Sequence, residues 1–327
     1  MRRRLASPAA AATLLVTVVV AGCSGVAEPN DSSAPRATPD TTAGASPRPS
    51  AVPSPTLPVT NVEPASSEPL TEDFPRDAFS DSTTIDNPYF PLVPGTRWRW
   101  EGAITIDGRR VDHAVVFSVT DLTKVVDGVT VVVAVDEDYL LGELIELELA
   151  FFAQADDGTI WHLGQYPEEY EGGQLVGAPT WIAGQRGALA GITMKAESRY
   201  GDRSYSQGWG PEVGWTDRGR VFETGSRTCV PTGCYDDVLI IDEFNRDEPD
   251  AHQLKYYAPG IGGVRVGWAG ALDADQETLE LVEVGPLDAA ALAEVRSRAL
   301  ELDGRAYDVS PDVYAATSPA AQTLTAP

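Results

Sequence analysis

Three cysteines, three histidines and an excess of carboxylates are the residues of this 327-residue chain whose types could do chemistry. Cys229 and Cys234 bracket Val230-Pro231-Thr232-Gly233. Pro-Thr-Gly suits a tight hairpin turn that sets the two thiols opposite each other. In an oxidising compartment such a pair reads as a disulfide, worth about 2 kcal/mol for so small a loop by the chain-entropy relation. The alternative, a metal site completed by His252, lacks the second cysteine pair of a zinc knuckle. His113 and His162 lie in β-rich runs with neither metal-ligand nor nucleophile-linked spacing, and no G-x-S-x-G, P-loop or H-E-x-x-H sequence occurs. Carboxylates adjoin at Asp136/Glu137/Asp138, Glu168/Glu169 and Asp236/Asp237, but among 49 acids adjacency singles out neither a glycosidase pair nor a calcium loop. No catalytic residue, metal site or cofactor is assigned. Of the seven tryptophans, Trp98 and Trp100 share one strand face, either as core or as the wall of a pocket for an apolar or sugar-like ligand.

The net charge, 24 − 49 = −25, repels phosphate backbones and argues against nucleic-acid partners. The remaining cysteine, Cys23, has a particular setting. Arg2, Arg3 and Arg4 precede an apolar run from Ala9 to Val20, too short to span a bilayer comfortably, and Ala21-Gly22 follow. This is the layout of a signal peptide over residues 1–22, and Val20-Ala21-Gly22-Cys23 resembles the lipobox of bacterial lipoproteins. The resemblance implies that Cys23 receives a diacylglycerol and becomes the first residue of the mature chain, held on the outer face of the cell membrane. More than one acyl chain is what makes such an anchor stable. Residues 23–78 are rich in Pro, Ser, Thr and Ala, as in "SPRPSAVPSPTLP", and read as a disordered tether.

From residue 79 tryptophan, tyrosine and β-branched residues appear between turn dipeptides. Asp107-Gly108, Asp127-Gly128 and Asp157-Gly158 each follow or precede a β-rich run, the strongest short-range hairpin signal. Further strands are expected at Gln174–Trp181, Ser198–Gln207, Gly219–Thr228, Asp237–Phe244, Gln253–Tyr257, Gly263–Val266 and Thr278–Val284. The fold class is mainly β: an antiparallel meander or partly closed barrel over residues 79–285. The segment "LLGELIELELAFFAQ" alternates Leu147, Leu149 and Phe151 with Glu146 and Glu148, which favours a half-exposed strand over a helix. One helix is expected over 286–304. Asp288 is its N-cap, Leu292, Val295, Ala299 and Leu302 form its apolar stripe, and Gly304 is its end. It should pack on the sheet, leaving 305–327 as a loose tail.

The segment "IDNPYFPLVPGTRWRWEG" (85–102) is similar to the opening of a functionally uncharacterised family of secreted and lipid-anchored bacterial proteins. "AQADDGTIWHLGQ" (153–165), "VPTGCYDDVL" (230–239) and "KYYAPGIG" (255–262) match that family's pattern in the same order. Cys234 and the "RWRW" strand depart from it. The resemblance implies export and anchoring but no activity. In physical terms, Pro88, Pro91 and Pro94 keep the leading segment extended, and Pro94-Gly95 suits a type II turn. Tyr89, Phe90 and Leu92 dock on the sheet, or Tyr89 and Phe90 join Trp98 and Trp100 in facing a ligand. The expected function is a non-enzymatic, lipid-anchored binding or carrier module for an apolar or sugar-like ligand. The other readings are an envelope protein engaging a protein partner and, behind both, a hydrolase without a recognisable motif.

Overall fold

Both Asp107-Gly108 (φ 51° and 71°) and Asp127-Gly128 (φ 49° and 84°) have positive φ at each position. That conformation matches the right-handed twist of flanking strands, and each dipeptide closes a hairpin. In the computed structural model, which describes residues 69–246, 250–270 and 276–326, these turns join β1 (Thr96–Ile106), β2 (Arg109–Val126) and β3 (Val129–Leu140). The expected signal peptide (1–22), Cys23 and most of the expected tether (23–78) lie outside the described residues. Next come β4 (Glu143–Gln154) and β5 (Ile160–Glu171). The outer edge of β5 is shared by β6 (Gln174–Gly177), β7 (Trp181–Ile182) and β8 (Leu189–Met194). Two short strands, β9 (Tyr205–Ser206) and β10 (Gly208–Trp209), precede a second meander. It comprises β11 (Arg218–Val230), β12 (Gly233–Phe244), β13 (His252–Ala258), β14 (Gly262–Ala269) and β15 (Thr278–Pro286). The chain ends in α1 (Ala289–Val309), a single turn α2 (Pro311–Tyr314) and β16 (Ala321–Gln322).

The strand order β10-β8-β5-β4-β3-β2-β1-β15-β14-β13-β12-β11-β9 is antiparallel throughout. The two meanders join where β1 pairs with β15. The far edges meet at Tyr205–Trp209: Tyr205 and Ser206 pair with β11, whereas Gly208 and Trp209 pair with β8. One short segment thus nearly closes the sheet into a barrel. The approach is so tight that a Cβ on Gly191 would lie 1.9 Å from the Gly208 nitrogen.

Two expected strands are altered. Pro179, which has no N–H for the ladder, separates β6 from β7 within 174–181. Of Ser198–Gln207 only Tyr205–Ser206 is strand, because Arg199-Tyr200-Gly201-Asp202 makes a solvent-facing turn. Strand β8 carries neither alternation nor a turn dipeptide and was not anticipated. The disulfide forms, joining Cys229 to Cys234 at directly paired positions of the β11–β12 hairpin.

Strand β4 is a strand, but it is not half exposed. Leu147, Leu149 and Phe151 pack with Val131, Val133 and Val135 of β3 beneath α1, whose Val295, Ala299 and Leu302 complete that cluster. The helix starts as expected, with the Asp288 carboxylate accepting from the Ala291 amide at 2.8 Å, but it runs past Gly304 to Val309. Contacts on both sides of Gly304 carry it on. Asp303 accepts from Lys124 (2.9 Å), the Tyr314 hydroxyl (2.7 Å) and the Ala320 amide (3.0 Å). Arg305 forks onto Glu168. Arg296 does the same to Asp121 at 2.7 and 2.6 Å, and Arg298 pairs with Glu137. The segment after the helix is docked rather than loose: β16 pairs with β2, and Ser318 accepts from Lys124 at 2.6 Å.

Lys124 and Asp303 are both fully enclosed. Removing one partner of such a pair strands a buried charge, at a cost of about 3–5 kcal/mol. Asp303→Ala should therefore lower the denaturant midpoint by that equivalent, and Lys124→Met/Asp303→Leu should recover most of the loss. A single substitution without measurable effect in urea unfolding would contradict the assignment.

Candidate functional site: a carboxylate-lined barrel interior

With the apolar alternate face of β3 and β4 given to α1, the other face points inward. The register fixes which residues meet there, since directly paired residues share a face. Asp136 is opposite Glu148 and Asp138 is opposite Glu146. On the other side of β3, Asp136 is opposite Phe117 and Asp138 is opposite Val115. Lys255 of β13 ion-pairs with Glu243 of β12 at 2.8 Å. Glu277, just ahead of β15, accepts from Gln253 and lies 2.8 Å from His113 Nδ1.

Along each strand the inward side chains change character from one end of the barrel to the other. On β3 they run from Val132 and Ala134 to Asp136 and Asp138, and on β4 from Phe152 and Ala150 to Glu148 and Glu146. On β13 they run from Tyr257 to Lys255, and on β12 from Leu239 and Ile241 to Glu243. The apolar end is plugged. Phe90 packs on Phe152 and Tyr257, with ring centroids 5.5 and 6.2 Å apart. Trp98 Nε1 donates to the Ile261 carbonyl at 2.8 Å, and Trp100 Nε1 to the Gly263 carbonyl at 3.1 Å. Tyr89 donates to the Asp237 carbonyl, Asn87 to the Gly158 carbonyl, and Gly260 to the Pro88 carbonyl. The four sequence segments singled out above thus meet at this end. Tyr89, Phe90, Trp98 and Trp100 are packing residues of the plug there, with their polar atoms bonded to backbone.

The polar end is a different environment. Asp136, Glu146, Glu148 and Lys255 are half-buried and keep partial contact with solvent; the Lys255 side chain is 33% exposed. Burial, then the charge of Asp138, raises the Asp136 pKa to about 7. Burial and the charges of Asp138, Asp136 and Glu169 raise Glu146 to about 8, and burial with Glu146 and Asp136 holds Glu148 well above its ordinary value. Burial works against a charged His113. Its hydrogen bonds with Asp138 (2.7 Å) and Glu277 prevail and raise the pKa to about 10, so the ring is an imidazolium at neutral pH. Asp136 Oδ1 is buried without a hydrogen-bond partner, and so is Asp138 Oδ2, on a side chain only 2% exposed.

Between plug and carboxylates lies an aromatic group. His162 stacks on Phe152 (5.0 Å, 19°) and presents edges to Trp181 and Trp215, which stack on each other at 5.8 Å. Trp181 Nε1, Trp215 Nε1 and His162 Nε2 are buried and unbonded. Burial takes the His162 pKa down to about 3, so this ring is neutral. Gly208 makes room for the indoles, because a Cβ there would sit 2.6 Å from Trp215 Nε1. A cleft lined in part by Thr180, Arg186 and Val313 has only ≈ 10 Å³, about one water.

None of the carboxylates at the polar end was singled out as a site from sequence. Asp136 and Asp138 were visible as an acidic run, and Glu146 and Glu148 as the polar side of β4. What would have exposed them is the inverse of the usual rule: an alternating strand whose apolar side belongs to a helix must turn its acids inward. Among the described residues no group of three or more His, Cys, Asp or Glu side chains has an arrangement that could hold a metal ion, and no helix is long and apolar enough to cross a membrane.

Neither a family model nor a curated protein matches the chain. Among solved structures it is similar to a presumptive exported protein with a YmcC-like fold from Bacteroides fragilis. Identity is 14% and the TM-score 0.37, over 60% of this chain and 98% of that one. It is also similar to a presumptive lipoprotein from Parabacteroides distasonis, at 13% identity and a TM-score of 0.33, over 63% of this chain and 100% of that one. At this distance neither likeness bears on function.

The raised pKa values set a pH dependence. Asp136, Glu146 and Glu148 hold protons in the folded state above the pH at which the unfolded chain releases them, and so does His113. The folded state therefore binds more protons, and stability falls as pH rises through the windows ending at about 7, 8 and 10. The lowered pKa of His162 acts oppositely, but only below its unfolded value of ~6.5. The thermal midpoint should thus rise as pH is lowered from ~9 to ~7, and Glu146→Gln/Glu148→Gln should flatten the slope. Circular dichroism melts at several pH values test this, and a midpoint that climbs with pH would contradict it.

Proposed function

We propose that this chain is a lipid-anchored extracytoplasmic binding module whose ligand site is the polar half of the barrel interior, and that the ligand is sugar-like. The observation carrying this reading is the combination, on the inward side of neighbouring strands, of partly hydrated carboxylates with an aromatic layer bearing unbonded N–H groups. Hydroxyl groups donate to carboxylates and accept from indoles, and sugar faces stack on aromatic rings. The plug at the other end supports binding over passage, because a ligand entering from the polar end meets Phe152 and Tyr257 instead of an exit. An envelope role through a protein partner has no comparable feature in its favour. The anchor rests on the lipobox-like sequence at Cys23.

Two experiments test the reading. Cys23→Ala should move the full-length protein from the membrane fraction to the soluble fraction, whereas retention on the membrane would remove the lipid anchor from the proposal. Native mass spectrometry of the full-length protein, purified without denaturant, should show an extra mass that organic extraction removes and that is absent from Asp136→Asn/Glu148→Gln. A bare mass in both proteins, or an extra mass unaffected by the substitutions, would count against the interior as the site.

A further inference from the structure

The ladder is thinnest where the barrel closes. Its two far edges, β8 and β11, are linked through Tyr205–Trp209. Tyr205 pairs with Gly219 and Ser206 with Arg218 on one side; Gly208 pairs with Ala190 and Trp209 with Leu189 on the other. The Gln207 amide adds a bond to the Asp217 carbonyl at 2.9 Å. By comparison, β2 and β3 pair along most of their length. Buried donors without a partner in the protein also gather at this seam: the Tyr205 hydroxyl on β9, Trp181 Nε1 on β7 and Trp215 Nε1 beside Gly208. Enclosing an unbonded donor is costly, and opening the seam to solvent relieves that cost.

Residues 69–79 cross this seam. At one end the buried guanidinium of Arg218 on β11 donates to the carbonyls of Pro69 (3.0 Å) and Leu70 (3.3 Å), and to the hydroxyl and carbonyl oxygens of Ser204, both at 2.9 Å. In the middle, the enclosed carboxylate of Glu72 accepts from the Ser206 amide at 3.1 Å and from Arg203 at 2.6 and 3.2 Å. At the other end Phe74 packs on Trp161 of β5, ring centroids 5.1 Å apart, and the Ala78 carbonyl accepts from the Asp156 amide at 2.8 Å. One stretch of chain thus grips β11, the closing segment and β5, the strand on which β8 is laid.

We propose that residues 69–79 are a latch on the seam, and that lifting them lets β8 and β11 part at Tyr205–Trp209, so that the barrel opens sideways. Such an opening does not depend on the interior being a ligand site; it decides how the interior is reached. The chain enters the latch at Pro69, so a pull from the N-terminal side loads the Arg218 bonds first and those of Glu72 next. The latch then peels from β11 towards β5.

The test is hydrogen–deuterium exchange, read by mass spectrometry, on the full-length protein and its Glu72→Ala and Phe74→Ala variants. Each substitution alone should accelerate exchange across 189–192, 205–210 and 217–219 by at least ~10-fold, the equivalent of one lost charge-assisted hydrogen bond. Amides of β2, β3 and β4 should stay within about twofold of the unaltered protein, as in a local opening. Phe74→Ala is the sharper variant, because its ring packs on β5, across the seam from β11. Glu72→Gln, which keeps an acceptor for the Ser206 amide, should fall between the unaltered protein and Glu72→Ala. Acceleration confined to the residues that each side chain touches would overturn the latch. An equal acceleration in β2 to β4 would do the same, since it marks a fold loosened as a whole, and so would unchanged exchange in both variants. Melting curves check that the variants fold, and Phe74→Leu gives the same reading if Phe74→Ala does not.

Discussion

The placement of α1 decides what the rest of the barrel can be. A strand has two faces, and α1 claims the outer one on β2 to β5 by burying Leu147, Leu149 and Phe151 under Val295, Ala299 and Leu302. Alternation then leaves the acids of β3 and β4 nowhere to go but inward. The helix is held in that position by Arg296, Arg298 and Arg305 on carboxylates of the sheet, and by the enclosed Lys124–Asp303 pair beneath it. A soluble barrel with the usual pattern has a dry inside and a wet outside. Here one dry layer lies between helix and sheet and a second fills the apolar end of the interior, while the polar end keeps partial contact with solvent.

The interior is graded, and the gradient is built from the same strands. Each inward row begins in the aromatic plug formed by the Asn87–Leu92 segment and ends among charges. The plug is tied by backbone carbonyls from three distant parts of the chain, at Gly158, Asp237 and Ile261. Beyond it the inward rows pass the layer holding His162, Trp181 and Trp215 and reach the carboxylates of β3 and β4.

Much of the architecture was legible in the residues, because hairpin turns and caps are local. The two Asp-Gly turns, the Asp288 cap, the β4 strand and the Cys229–Cys234 pairing all rest on a few consecutive side chains. The losses were non-local. Gly304 breaks helices in isolation but not when Asp303 and Arg305 are both anchored to other elements. Strand β8 forms because β5 offers it an edge, which its own residues do not announce. The carboxylates of the polar end were the largest omission. Their inward orientation depends on where a helix more than a hundred residues later comes to lie, and no reading of β3 and β4 alone contains that information.

The order of strands also has a consequence for how the chain reaches this state. The first meander, β1 to β5, is made of neighbouring hairpins and can form early, because local contacts cost little loop-closure entropy. Its inner edge, β1, pairs with β15, and its apolar outer face is covered by α1, both from the last fifty residues. Until those residues arrive, the meander exposes an unpaired strand and a bare patch of leucine, valine and phenylalanine, the two features that drive chains to aggregate. A chain synthesised from its N-terminus presents them in that sequence. Truncation near the C-terminus would therefore do more than remove a helix: it would leave the first half of the barrel assembled and adhesive.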